Sequence, residues 1–220
     1  MPVPLNPFVD VTRAWLTECC GYLVNDSVPV LPVQKTPTPS DIDLVAIRLP
    51  GEPPRPCFAK LEPNLLVECK GWFDSDSSHT GFFRHLELNL DLLGEDHYLQ
   101  PKKLRPRKEQ PHLFFLRQEV YEKGKCLFGS PNFQRVIVGP YLVAPKKSRF
   151  TLDKLLTEYE KRGILVIDIQ HIIADLFKFI EVAKREKKDK TSSEEHTKLR
   201  KNYALEFLHL IATYFTTACK

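Results

Sequence analysis

What this chain lacks narrows it first. No apolar run reaches the ~18 residues that a membrane-spanning helix needs. The opening residues, Met1-Pro2-Val3-Pro4-Leu5-Asn6-Pro7, have no charged start of the kind that precedes the apolar stretch of a signal peptide. An intracellular protein, cytoplasmic or nucleoid/nuclear, with no membrane partner is therefore expected. The six cysteines, at 19, 20, 57, 69, 126 and 219, include an adjacent pair but no Cys-x-x-Cys. Neither they nor the seven scattered histidines fall at zinc spacing, so they read as reduced, mostly core thiols. No internal repeat is visible.

What is present is ordinary for a globular protein. The 220 residues, 42% hydrophobic and 27% charged, suffice for one ample core, or a core with an appendage. A net charge of +4 permits a polyanion partner without requiring one, so the placement of the charges matters more than their sum.

Two short apolar runs carry charge that a structural strand would not need. The first holds Asp41-Ile42-Asp43-Leu44-Val45-Ala46-Ile47 and the second Leu65-Leu66-Val67-Glu68-Cys69-Lys70. Both have the length and aliphatic content of buried strands and are bounded by Pro, Gly or Asn. Side chains alternate along a strand, so Glu68 and Lys70 share a side with Cys69 on the other, and Asp41 and Asp43 share a face. If the two strands are neighbours, an Asp, a Glu and a Lys converge. Burying such charges is costly unless they are paired or hold an ion, which makes a purely structural role an expensive explanation.

An Asp leading an apolar strand, followed by a second apolar strand ending in Glu-x-Lys, resembles the PD-(D/E)XK nuclease superfamily, which includes restriction endonucleases and Holliday-junction resolvases. The motif would fall on Asp43 and Glu68-Cys69-Lys70, with the proline-rich segment 49–56 lengthening the connection. The resemblance implies a Mg²⁺ site, with Mn²⁺ as a substitute, whose protein ligands are Asp43, Glu68 and the backbone carbonyl of Cys69. It also implies that Lys70 orients or deprotonates the attacking water. The chemistry accounts for these residue types: phosphodiester hydrolysis needs charge neutralised on the phosphate and a nucleophilic water, and a hard cation on one or two carboxylates provides both. An ammonium beside that water can move its proton and stabilise developing charge. Asp43 is preferred to Asp41 because Leu44-Val45-Ala46-Ile47 follows it directly; Asp41 reads as an auxiliary acid or a strand cap. Some members carry an extra acid on the first helix, for which Asp10 is better placed than Glu18, with a solvated or capping acid as the alternative.

The rest of the chain fits a mixed sheet flanked by helices. Apolar positions Phe8, Val11, Trp15, Leu16 and Cys19 predict a helix over 8–20 stopped by Gly21. The proline-studded segment 28–39 reads as irregular or an edge strand. Helical spacing returns over 82–93 and 151–162, and strands are expected over 111–116, 135–143 and 164–169, with a helix starting at His171. The last of these make a βαβ unit. Between them Lys102, Lys103, Arg105, Arg107 and Lys108 crowd a proline-broken segment that reads either as a phosphate-contacting surface or as a solvated loop.

The resulting expectation is an α/β protein, a three-layer α/β/α arrangement around a central mixed sheet of restriction-endonuclease type. Residues 1–183 would form this domain, and 184–220 a charged turn and a C-terminal helix packed on it, or used for a homodimer. The expected function is Mg²⁺-dependent hydrolysis of phosphodiester bonds in nucleic acid, most of all DNA, as an endo- or exonuclease. A non-catalytic nucleic-acid-binding or assembly protein on the same fold is the runner-up, against which stands the retention of all three charged residues. An unrelated α/β enzyme using Asp168 and His171 is a third reading, weakened by the lack of a nucleophile motif such as Gly-x-Ser-x-Gly nearby.

Overall fold

A computed structural model describes residues 7–30, 40–51, 55, 57–70, 81–93, 98–99, 113–140 and 142–188. The chain opens with helix α1 (Pro7–Ala14), which widens into a π-helical turn over Trp15–Cys19. There Cys20 N–H donates to the Trp15 carbonyl at 3.1 Å, and the segment ends at Gly21, whose φ of 73° suits a residue without a Cβ. Strands β1 (Leu23–Val30), β2 (Ser40–Ile47) and β3 (Asn64–Cys69) follow, then α2 (Gly81–Leu92), a 3-10 turn at Phe114–Leu116 and α3 (Gln118–Phe128). The chain continues through β4 (Gln134–Gly139), α4 (Leu152–Glu160), β5 (Ile164–Asp168) and α5 (Ile169–Lys188).

The five strands lie in sequence order, β1-β2-β3-β4-β5. The β1–β2 and β2–β3 pairs are antiparallel, whereas β3–β4 and β4–β5 are parallel. Alternation along β3 sends Leu65, Val67 and Cys69 to one face and Leu66 to the other; along β4, Val136 and Val138 oppose Ile137. The first face packs on Val11, Trp15 and Leu16 from α1 and its extension, and on Ile172 and Leu176 from α5. The second packs on Phe83 and Leu86 of α2, Val120 of α3, and Leu155 and Tyr159 of α4. Helices thus cover both faces of a mixed sheet. Two large side chains drawn into these layers have their polar atoms partnered: Trp15 Nε1 donates to Asp175 Oδ2 at 2.9 Å and Tyr159 Oη to the Leu86 carbonyl at 2.8 Å.

Several elements differ from the sequence expectation. Residues 111–116 do not supply a strand in the described part: Leu116 N–H closes on the Leu113 carbonyl at 3.0 Å, and Leu113, Phe115 and Leu116 are all buried, which a one-sided strand would not allow. Helix α3 gave no clear periodic signal, because its buried positions are only Val120 and Gly124. Strand β4 stops at Gly139 rather than at residue 143, since Pro140 has no N–H to extend the ladder. Helix α5 begins at Ile169, two residues before His171, because Asp168 Oδ1 accepts Gln170 N–H at 2.9 Å and caps it; it then runs through residues 183 and 184 to Lys188. The expected basic surface at Lys102, Lys103, Arg105, Arg107 and Lys108, and the C-terminal helix expected beyond the charged turn, lie outside the described residues. Among the described residues, no helix is long and apolar enough to cross a membrane.

Candidate active site

The sheet forks where the motif residues sit. Pairing between β2 and β3 runs from Ile47↔Asn64 to Leu44↔Val67 and stops. Beyond that point β2 continues beside β1 through Ile42↔Val28 to Ser40↔Val30, while Glu68 and Cys69 continue beside Ile137 and Val138 of β4. Asp43 lies on one arm of the fork and Glu68 on the other. A side-chain contact replaces the lost backbone ladder: Cys69 N–H donates to Asp43 Oδ2 at 2.7 Å.

A backbone irregularity marks the same place. Ser27, between the partners of Leu44 and Ile42, has φ 49°, and it alone among the described non-glycine residues has a positive φ. Around this step the β1–β2 hairpin rolls over. Leu44 and Ala46 serve the α1/α5 face, whereas Ile42 and Val30 serve the α2/α4 face, although Ile42 and Leu44 would share a side in a flat strand.

Glu68 and Lys70 point the same way, as their spacing predicts, and form an ion pair between Lys70 Nζ and Glu68 Oε1. Lys70 N–H donates to the Val138 carbonyl at 2.8 Å, which fixes this end of β3 against β4. Glu68 is only 4% exposed. Burial pushes its carboxyl up to about 7, with Lys70 pulling it down and Asp43 pushing it further up. Burial also raises Asp43, opposed by the Cys69 N–H and by Lys70 and reinforced by Asp41. Two shielded carboxylates therefore share one ammonium, and one negative charge is left over when both are ionised. On the opposite face the Cys69 thiol is raised by its burial and lies against the wholly buried Thr12 hydroxyl of α1.

The structure brings Asp43, Glu68 and Lys70 to one fork and leaves the auxiliary acids less central. Asp41 is exposed, opposite Pro29, and acts on Asp43 through charge alone. Asp10 pairs with Arg13 at 3.5 Å, and Arg13 also grips Asp26 of β1. Asp168 is committed to the backbone, accepting Leu142 N–H at 2.8 Å as well as Gln170 N–H, while His171 leans on the ring of Phe58. Sequence reasoning missed Ser27 and Thr12. Ser27 carries no composition signal, but Thr12 follows Val11 on the buried side of α1 and so offered one.

Among the described residues no three His, Cys, Asp or Glu side chains gather as a metal-binding group. Mg²⁺ asks for less, since it binds through one or two carboxylates and keeps its remaining positions for water or phosphate. The hard oxygen donors of Asp43 and Glu68 and their uncompensated charge fit such an ion. Comparison with models of protein families, with curated proteins and with solved structures finds no match to this chain.

Proposed function

We propose that the protein is a metal-dependent nuclease that hydrolyses phosphodiester bonds, in DNA before other nucleic acids. One observation carries the reading: the sheet opens between Asp43 and Glu68, with Asp43 held on the Cys69 N–H and Lys70 paired to Glu68. A purely structural hairpin would gain nothing from burying Glu68 there, because an apolar residue in a strand packed on both faces is cheaper.

Asp43 and Glu68 would hold Mg²⁺, or Mn²⁺ in its place, with the carbonyl of Cys69 as the expected third protein ligand. Bound there, the ion would neutralise phosphate charge and make its water a better nucleophile. Within the chain, the Cys69 N–H holds Asp43 Oδ2 in place, so the carboxylate is oriented before any substrate arrives. Lys70 Nζ, anchored through Glu68 Oε1, keeps a donor at the fork that can steady the attacking water and take up or return its proton. Phe82 packs over Gly139, one residue past the β4 partner of Cys69, where a Cβ would lie 2.1 Å from its ring.

The test is cleavage of single-stranded, duplex and branched DNA and of RNA, with Mg²⁺ and with chelator. Mg²⁺-dependent products that disappear in Asp43→Ala, Glu68→Ala and Lys70→Ala, each still folded by circular dichroism, are expected. No cleavage of any form by the wild type with either metal, or full activity in Lys70→Ala, would overturn the reading.

A further inference from the structure

Far along the strands from the fork, three cysteines meet where the π-helical turn ends. Cys19 and Cys20 leave that turn, and Cys57 comes from the connection between β2 and β3. Cys57 Sγ donates to the Ala59 carbonyl at 2.9 Å, and the Cys57 side chain packs against the buried cluster that contains Cys19 and Cys20. The two backbones are pinned together independently of the sulfurs. Arg55 Nη1 donates to the Glu18 carbonyl at 2.9 Å, and the Arg55 side chain lies so close over Gly21 that a Cβ there would sit 3.0 Å from its Nε. Cys20 is 2% exposed, whereas Cys57 is half-buried and next to the exposed Phe58.

From this geometry we infer that Cys20 and Cys57 form a reversible disulfide that staples the end of the first helix to the β2–β3 connection. It stands apart from the phosphodiester site. Arg55, two residues from Cys57, is held to Glu18 and lies over Gly21, the residues that flank Cys19 and Cys20, so closing the ~2 Å bond asks for side-chain rotation rather than movement of the pinned backbones. Cys20 and Cys19 are adjacent, which disfavours a bond between them, and of the two thiols it is Cys20 that Cys57 influences more strongly.

A hydroperoxide is the oxidant class that fits a site with one accessible sulfur. Cys57 sulfur attacks the peroxide, the O–O bond breaks, and Cys57 becomes a sulfenic acid with release of water or alcohol. Cys20 sulfur then attacks the sulfenic sulfur: the S–S bond forms, the S–O bond breaks, and the departing oxygen takes the Cys20 proton and leaves as water. Two thiols lose two electrons in all and the peroxide gains them. Burial holds the Cys20 thiol protonated, so it is spared direct oxidation until the sulfenic acid is beside it. The ring that closes contains β1 and β2 with Asp43, and restraining so long a loop in the unfolded chain raises stability.

The test treats the full chain with hydrogen peroxide, alkylates it in denaturant, digests it and maps the cysteines by mass, with the exposed Cys126 as the check that the oxidant acts. A linked peptide pair carrying Cys20 and Cys57 is expected, reversed by a thiol reductant, together with a melting rise of roughly 10 °C. Cys57→Ser should abolish both and Cys19→Ser neither. The inference is overturned if Cys20 and Cys57 remain fully alkylated while Cys126 is oxidised, if Cys57 links to another cysteine, or if the bond forms without raising the melting temperature. Because the mapping is done on the wild type, a poorly folding variant does not decide it.

Discussion

Glu68 shows how one side chain couples this fold to pH. Its carboxyl is raised from the usual 4.5 to about 7 by burial, so between those values the folded state binds a proton that the unfolded chain has released. Stability from this group is fully present below pH 4.5 and is lost as pH rises through 7, by about 3 kcal/mol in all. Asp43 is shifted in the same direction and adds to the slope. Urea unfolding of the metal-free protein at pH 5 and pH 8 should show the loss. Glu68→Gln, which keeps the shape without the charge, should show a much smaller one, and equal slopes for the two proteins would mean that Glu68 is not the titrating group. The same burial explains why Glu68 and Lys70 could be singled out from sequence: Glu-x-Lys is unremarkable on a surface but costly in a run such as Leu65-Leu66-Val67. Ser27 could not be singled out, because its backbone angle comes from the roll of the hairpin and leaves no trace in its neighbours.

At the scale of elements, α3 is the instructive case. Its sequence, Gln118 to Phe128, has charged residues on most faces and a glycine in the middle, which argues against a helix by propensity. Tertiary packing explains the glycine: a Cβ at Gly124 would lie 2.6 Å from Phe133 Cζ and 2.7 Å from Leu66 Cδ1. Gly124→Ala would gain about 1 kcal/mol of helix propensity but overfill that contact, at a cost of ~1–3 kcal/mol. A net loss of about 1 kcal/mol, read as a lower urea midpoint with unchanged m, is expected; a more stable variant would show that the contact yields freely. Strands β2, β3, β4 and β5 were legible because they are buried on both faces and appear as continuous aliphatic runs. Leu113-Phe114-Phe115-Leu116 is also a continuous apolar run, yet it forms a 3-10 turn, since apolar content alone cannot tell a buried turn from a buried strand.

For the whole molecule, the proposed metal site predicts a linkage that needs no substrate. Mg²⁺ binds the folded fork and hardly the unfolded chain, so it stabilises by RT ln(1 + [L]/Kd); with a site of ~1 mM at ~10 mM Mg²⁺ this is about 1.4 kcal/mol. Thermal melts should then rise by about 3–5 °C on adding Mg²⁺, and Asp43→Ala should lose the rise. An identical response in both proteins would place the ion elsewhere. Charge at long range gives another check: replacing Lys102, Lys103, Arg105 and Arg107 with Gln should weaken nucleic-acid binding for all sequences alike. It should also flatten the salt dependence by about 0.9 in slope per lost duplex phosphate contact. An unchanged slope would return these residues to the solvated reading.

The sequence by itself determined the layered α/β class, most strand and helix positions and the identities of Asp43, Glu68 and Lys70 as residues to explain, because burial patterns and the cost of buried charge are written locally. Only the tertiary structure decided that β2 and β3 are neighbours, that their pairing ends one residue before Asp43, and that the freed Cys69 N–H turns to that carboxylate. It also decided that Cys20 meets Cys57, though two strands separate them in the chain. The physical reason is the same in each case: register, forks and long-range contacts are settled by which strands pair and how the two cores close around them, and no short stretch of residues carries that information.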